Sequence, residues 1–188
     1  MRIRHESNND LIIKVRNNSI IGTRNSFGLV AFAGLLATMS TTAGEYIIDG
    51  DHSHVGFQVR HMGVSNVRGN FTEFEGSFTL NDKSNNLEAM SGTVKVASID
   101  TGHKDRDGHL TTKNKKTGKF ELFNPEASAE ISFKMAEYVG TGTYARLTGA
   151  LTMNGKSKPI TIGVQMFGVA EDPWGNQRAG FSGNATIN

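Results

Sequence analysis

His103-Lys104-Asp105-Arg106-Asp107-Gly108-His109 brings two imidazoles and two carboxylates together within seven residues. On an extended backbone alternate side chains share a face, so His103, Asp105, Asp107 and His109 would converge on a divalent cation or on acid/base chemistry. That set defines one reading of the chain, a metal-assisted hydrolase. The interleaved Lys104 and Arg106, directly after Asp100-Thr101-Gly102, point instead to a solvated loop or short helix. His52 and His54 repeat a metal-compatible spacing near the start of a strand, where turn and surface roles compete with ligation. Arg60 and His61 stand where the first strand should end and Arg68 follows the next turn, so all three are polar candidates for a rim. Lys113, Lys115, Lys116 and Lys119 form a basic run that could attract a phosphate or simply solvate a loop. The sequence holds no Gly-rich phosphate loop, Gly-x-Ser-x-Gly elbow or His-Glu-x-x-His helix.

The elements that must position these residues belong to a chain of 188 residues, 37% hydrophobic and without cysteine. That length suits one domain, and the missing thiols exclude disulfides, Cys-based zinc sites and a thiol nucleophile. The net charge of +2 is unevenly spread. Residues 1–43 carry Arg2, Arg4, Lys14, Arg16 and Arg24 against Glu6 and Asp10. Of the totals of 20 basic and 18 acidic residues, 15 and 16 are left for the rest. A near-neutral body offers no concentrated positive face for nucleic acid or an anionic membrane.

Phe27 to Met39 is an uncharged, mostly apolar run, preceded by arginines and followed by the small residues Thr41-Thr42-Ala43. This pattern predicts an export signal over residues 1–43, removed after Ala43, with the mature domain over 44–188. Thirteen residues fall short of the roughly 20 that a spanning helix requires, so no stable membrane span is expected.

Beyond Ala43 the hydrophobic period is two. Val55, Phe57 and Val59 alternate with polar neighbours, and so do Ile131, Phe133 and Met135; Ile160, Ile162, Val164 and Met166; and Ala179, Phe181 and Gly183. Asn154-Gly155 and Asp172-Pro173-Trp174-Gly175 supply turns between such runs, and Trp174 is placed as a brace for one end. The alternation slips between Phe71 and Phe74 and over Val96–Ile99, as expected where a strand bends at a bulge. About eight strands in an up-and-down meander, with no amphipathic helix to cover their apolar face, predict a sheet curled into a barrel. Its interior would be lined by Phe57, Val59, Phe71, Phe78, Val94, Ile131, Phe133, Leu151, Ile162 and Phe181. For any one of those residues core packing is the favoured reading, and only the ensemble suggests a cavity.

Several blocks carry a resemblance: Tyr46-Ile47-Ile48-Asp49, His52 to Phe71 (HSHVGFQVRHMGVSNVRGNF), Val96 to Gly102, His109-Leu110, Leu147 to Gly155 with Lys158-Pro159-Ile160, and Asp172-Pro173-Trp174-Gly175 with Arg178-Ala179-Gly180-Phe181. Together they resemble the YceI-like family of polyisoprenoid-binding proteins. The resemblance implies an all-β, antiparallel, eight-stranded lipocalin-like barrel with a short helical or irregular lid, exported to the bacterial periplasm. It implies non-catalytic binding, storage or transport of a polyisoprenoid of the quinone or polyprenyl phosphate type, or a similar long-chain lipid. No metal or other cofactor is called for. The ligand-binding set is then the ten lining residues with His61, and Arg60, Arg68 and His109 are the head-group candidates. An exposed strand edge leaves room for a homodimer. Two departures from the family pattern stand out. Thr111 to Phe123 (TTKNKKTGKFELF) replaces a segment rich in Asp-Phe-Phe, and Asn188 falls where relatives continue, so the barrel is expected to be truncated at its C-terminus. At about 0.8 kcal/mol per buried CH₂, a five-carbon isoprene unit contributes at most about 4 kcal/mol, against about 1 for a neutral hydrogen bond, so a tail should dominate affinity.

Overall fold

The computed structural model describes residues 11–17, 20–22, 43–61, 63–81 and 83–187. Their backbone forms β1 (Leu11–Asn17), β2 (Ile20–Gly22), β3 (Ala43–Ile48), β4 (Ser53–His61), β5 (Ser65–Phe71), β6 (Phe74–Asn81), β7 (Leu87–Lys95), β8 (Ile99–Asp100), α1 (Lys104–Thr111), β9 (Glu130–Thr141), β10 (Tyr144–Met153), β11 (Lys156–Glu171) and β12 (Gln177–Ile187). Every pairing between the strands is antiparallel.

Several of these elements are halves of longer strands. β5 stops at Phe71 and β6 starts at Phe74, while the 3-10 turn Val96–Ser98 separates β7 from β8, so the two phase slips in the sequence fall at bends. β3 pairs with β6 and β4 with β5, which makes β3 and β4 one strand bent at residues 49–52. Joining the halves leaves seven strands from Ala43 onward, and they run in sequential neighbour order from β3 to β12.

The eighth strand comes from an unexpected place. β1 lies between β12 and β4, and β2 lies between β12 and β3, so the pairings close on themselves through residues the sequence assigns to the leader. Leu11, Ile13 and Val15 stand opposite Val59, Phe57 and Val55 on one side and Ile187, Ala185 and Gly183 on the other. Directly opposed residues share a face, which puts the apolar positions of β1 at inward register and Lys14 and Arg16 at outward register. The apolar run 27–39 lies outside the described residues. Among the described residues no helix is long and apolar enough to cross a membrane.

Two aromatic-rich clusters fill much of the interior. At one end Tyr46 stacks on Phe78 at 5.0 Å between ring centroids, and Phe78 meets Phe181 edge-on at 5.4 Å. At the other, Phe57, Phe71 and Phe123 touch pairwise at 5.5–5.6 Å. Aromatic side chains bury about 150–250 Å² each, and rings at these separations leave no bore between them. Phe57, Phe78 and Phe181, expected in the lining of a cavity, are placed in these two clusters.

Trp174 does not brace the barrel end, because it is 79% exposed. The brace is its neighbour Asp172, whose carboxylate accepts the Trp174 and Asn176 backbone N–H groups, each at 2.9 Å, and Arg178 Nε at 2.7 Å. Arg178 Nη1 reaches on to Asp49 Oδ2 at 2.9 Å, tying the β11–β12 turn to the bend between β3 and β4. Burial works to raise both carboxyl pKa values, but the accepted hydrogen bonds outweigh it and hold Asp49 and Asp172 below the ordinary range. A carboxyl depressed in the folded state stabilises the fold above its unfolded pKa and loses that contribution as pH falls through the folded value. Thermal stability is thus expected to decline as pH drops below about 4. In Asp172→Asn that acid slope should flatten, as melting temperatures measured across the acid range will show.

Candidate functional site

An apolar chamber of about 110 Å³ lies between the two clusters, and Phe133, which packs against both, forms part of its wall. The alternation of β7, β9, β10 and β11 delivers its lining. Of the residues expected there, Phe71, Val94, Ile131, Phe133, Leu151 and Ile162 are in place. Gly149 makes one of these placements workable, since a Cβ there would collide with the Phe133 ring that lies across β10. Ile48, Val55, Phe74, Met90, Ile160 and Ala185 add to the apolar wall and were missed as lining residues. Val55 and Ile160 belong to runs whose period of two was already visible, and Ala185 continues the run of Ala179, Phe181 and Gly183. Glu75, Thr93 and Ser132 border the chamber on the side of β6, β7 and β9.

Leu151 and Ile160 also line a second, more open hollow of about 660 Å³ beside the segment between α1 and β9. Its other walls include Phe120, Leu122, Met153 and Ile187, with Lys113, Lys119, Lys156 and Lys158 among the lining residues. Lys113 Nζ lies 2.5 Å from Glu126 Oε2 and sits over the Phe120 ring. The segment between α1 and β9 is held by Phe123, which is fully buried, and by Asn154. Asn154 adopts a positive φ of 54° in the β10–β11 turn, a conformation that Asn tolerates better than most residues. From there its side chain accepts the Asn124 N–H at 2.7 Å and donates to the Leu122 carbonyl at 2.8 Å.

The remaining expected contacts lie elsewhere. Val59 is half-buried against the second cluster and His61 is exposed at the end of β4. Arg60 donates from Nε and Nη2 to the Gly63 carbonyl at 3.2 and 3.1 Å, securing the β4–β5 turn. Arg68 donates to Gln58 Oε1 at 3.0 Å across the same hairpin. His109 is exposed on α1. None of these five borders the chamber or the second hollow.

The metal-ligand reading fails on backbone geometry. Lys104–Thr111 is helical, and at about 100° per residue Asp105 and Asp107 point to nearly opposite sides. Asp107 is also engaged, since its Oδ1 accepts the Thr101 N–H at 2.9 Å and the Thr101 hydroxyl at 2.6 Å, while Arg106 donates back to Thr101. The motif thus fastens α1 to the end of β8. His52 Nδ1 stands 2.8 Å from Asp49 Oδ2 rather than beside His54. Among the described residues, no group of three or more His, Asp or Glu side chains is placed to hold a metal ion.

A YceI-like domain model matches residues 46–188. A UPF0312 protein of Photorhabdus laumondii is 38% identical over 162 residues, covering 85% of this chain and 81% of its own. The YceI protein of Salmonella arizonae is 34% identical over 166 residues, covering 87% and 83%. Among solved structures, the YCEI protein of Campylobacter jejuni superposes with a TM-score of 0.56 at 30% identity, over 71% of this chain and 75% of that one. BcnA of Burkholderia cenocepacia shares the fold, with a TM-score of 0.54 at 18% identity over 73% and 98%.

Proposed function

The chain belongs to the YceI-like family, and from that premise we propose that it binds and carries a polyisoprenoid or similar long-chain lipid without changing it chemically. The observation that carries this reading is the apolar chamber together with the wider hollow beside it, which share Leu151 and Ile160 as walls. The enclosed part alone falls below the roughly 300–1,000 Å³ common for ligand sites. In this proposal a longer tail runs from the chamber past Leu151 and Ile160 into the hollow. Each methylene it buries adds about 0.8 kcal/mol, so affinity follows the length of tail accommodated.

Binding rather than turnover is favoured by where the reactive groups are. Asp107 anchors Thr101, His52 meets Asp49, and Asp172 holds the β11–β12 turn, so each is engaged in structure away from the chamber. Export to the periplasm, with removal of residues 1–43, belongs to the same proposal and rests on the run Phe27 to Met39 and the small residues before Gly44. Native mass spectrometry of the protein recovered from its own host tests all of this at once. A bound long-chain lipid and an N-terminus at Gly44 are expected, with any homodimer visible in the same spectrum. Protein that repeatedly arrives empty, or carrying a water-soluble metabolite, would sink the lipid reading.

Ile160 offers a sharper probe. It is half-buried, lines both hollows and packs on the edge of the second cluster, so Ile160→Trp should fill the space between them. Lipid occupancy is expected to fall about tenfold or more, equivalent to about 1.4 kcal/mol. Extraction and quantitation of lipid from wild type and variant, alongside melting curves, separates blockage from misfolding.

A further inference from the structure

Along β11 the residues 156, 158, 160, 162, 164 and 166 share one face, and that face turns inward, with Val164 and Met166 buried and Ile162 against the chamber. The face reads Lys, Lys, Ile, Ile, Val, Met. Lys158 stands directly opposite buried Leu151, and Lys156 opposite Met153, so both lysines hold inward register where the barrel opens. One strand face thus passes from charged to oily, from the outer hollow into the chamber. Across the hollow, Lys113 and Lys119 come from the segment after α1. Glu126 engages Lys113, whereas the ammonium groups of Lys119, Lys156 and Lys158 make no ion pair among the described residues. In a body that is otherwise close to neutral, three uncompensated cations converge on one opening.

Resting on the lipid reading above, we infer that this opening is a site for an anionic, phosphate-type head group, held by Lys119, Lys156 and Lys158 while the tail enters past Ile160. Lysine suits the task as a compact point charge on a flexible stem, able to follow a tetrahedral anion without bidentate geometry. The ligand favoured is therefore an isoprenoid phosphate rather than a neutral quinone. Arg60, Arg68 and His109 play no part in it.

The test uses the full chain, with geranyl phosphate, geraniol and inorganic phosphate as probes, in wild type and in the triple variant Lys119→Gln, Lys156→Gln, Lys158→Gln. All three lysines are exposed, so the variant is expected to fold, which circular dichroism checks. At low salt the wild type should bind geranyl phosphate about tenfold more tightly than geraniol, the size expected of a few exposed charge contacts. That margin should vanish in the variant and shrink in about 0.5 M salt, with geraniol affinity unchanged. Equal affinity for the two probes in wild type would overturn the head-group site and leave the tail site standing. Binding of neither probe would overturn both. Inorganic phosphate competing as well as geranyl phosphate would assign the lysines to free phosphate and overturn the lipid head group.

Discussion

Phe123→Ala is expected to destabilise the protein by about 3–5 kcal/mol, the range seen when a fully enclosed aromatic ring is deleted and its surroundings relax only partly. Phe123 has no exposed surface and meets Phe57 and Phe71 edge-on, so its loss leaves a hole bounded by two rings that cannot both move into it. The damage should spread, because the Phe123 N–H donates to the Leu110 carbonyl and its neighbours Leu122 and Asn124 are the partners of Asn154. Loosening this one ring frees the wall of the outer hollow as well as the core. Urea unfolding gives the measurement, with Phe120→Ala as the control. Phe120 is only half-buried, so its removal should cost about 1 kcal/mol or less. Equal losses for the two variants would contradict the packing described here.

Beginning the chain at Gly44, the cut that the proposed export processing would make, should have a comparable effect by another route, so the processed domain is expected to be less stable than the full chain. β1 pairs over seven residues with β12 and with β4, so its removal exposes two strand edges at once. Each ladder hydrogen bond nets about 1 kcal/mol, and the ordering entropy returned to the missing segment offsets only part of what both ladders lose. Amide exchange in Ser53–His61 and Gln177–Ile187 is expected to quicken at least tenfold, while β9 and β10, paired on both sides, change least. Unpaired edges also recruit one another, so the shortened chain should self-associate, which light scattering reads directly. Unchanged exchange in β4 and β12 would show that β1 contributes nothing to closure.

The parts of this fold legible in the sequence are those that obey a single period. The runs through Ile131, Leu147, Ile160 and Ala179 alternate cleanly because one face is wet and the other is not, and Asn154-Gly155 marks its turn by chemistry alone. The slips at Phe71–Phe74 and Val96–Ile99 were visible as bends for the same reason. Phe123 was not legible, since it lies in a segment without periodicity and owes its burial to partners far along the chain. Trp174 misled because size suggests burial, while its turn points it into solvent. The site was half legible. Inward phase identified Ile131 and Leu151, but whether an inward ring fills the bore, as Phe78 does, or borders a space, as Phe133 does, depends on contacts between strands that no local pattern encodes. Lys156 and Lys158 could have been found by extending the alternation of Ile160 and Ile162 backward by two steps.

The pairing of Leu11 with Ile187 has a consequence for biosynthesis. A strand near the start of the polypeptide waits for one near its end, and contacts so distant in sequence form late. β1 can pair with β4 early, but the ring of strands stays open until the residues of β12 are in place.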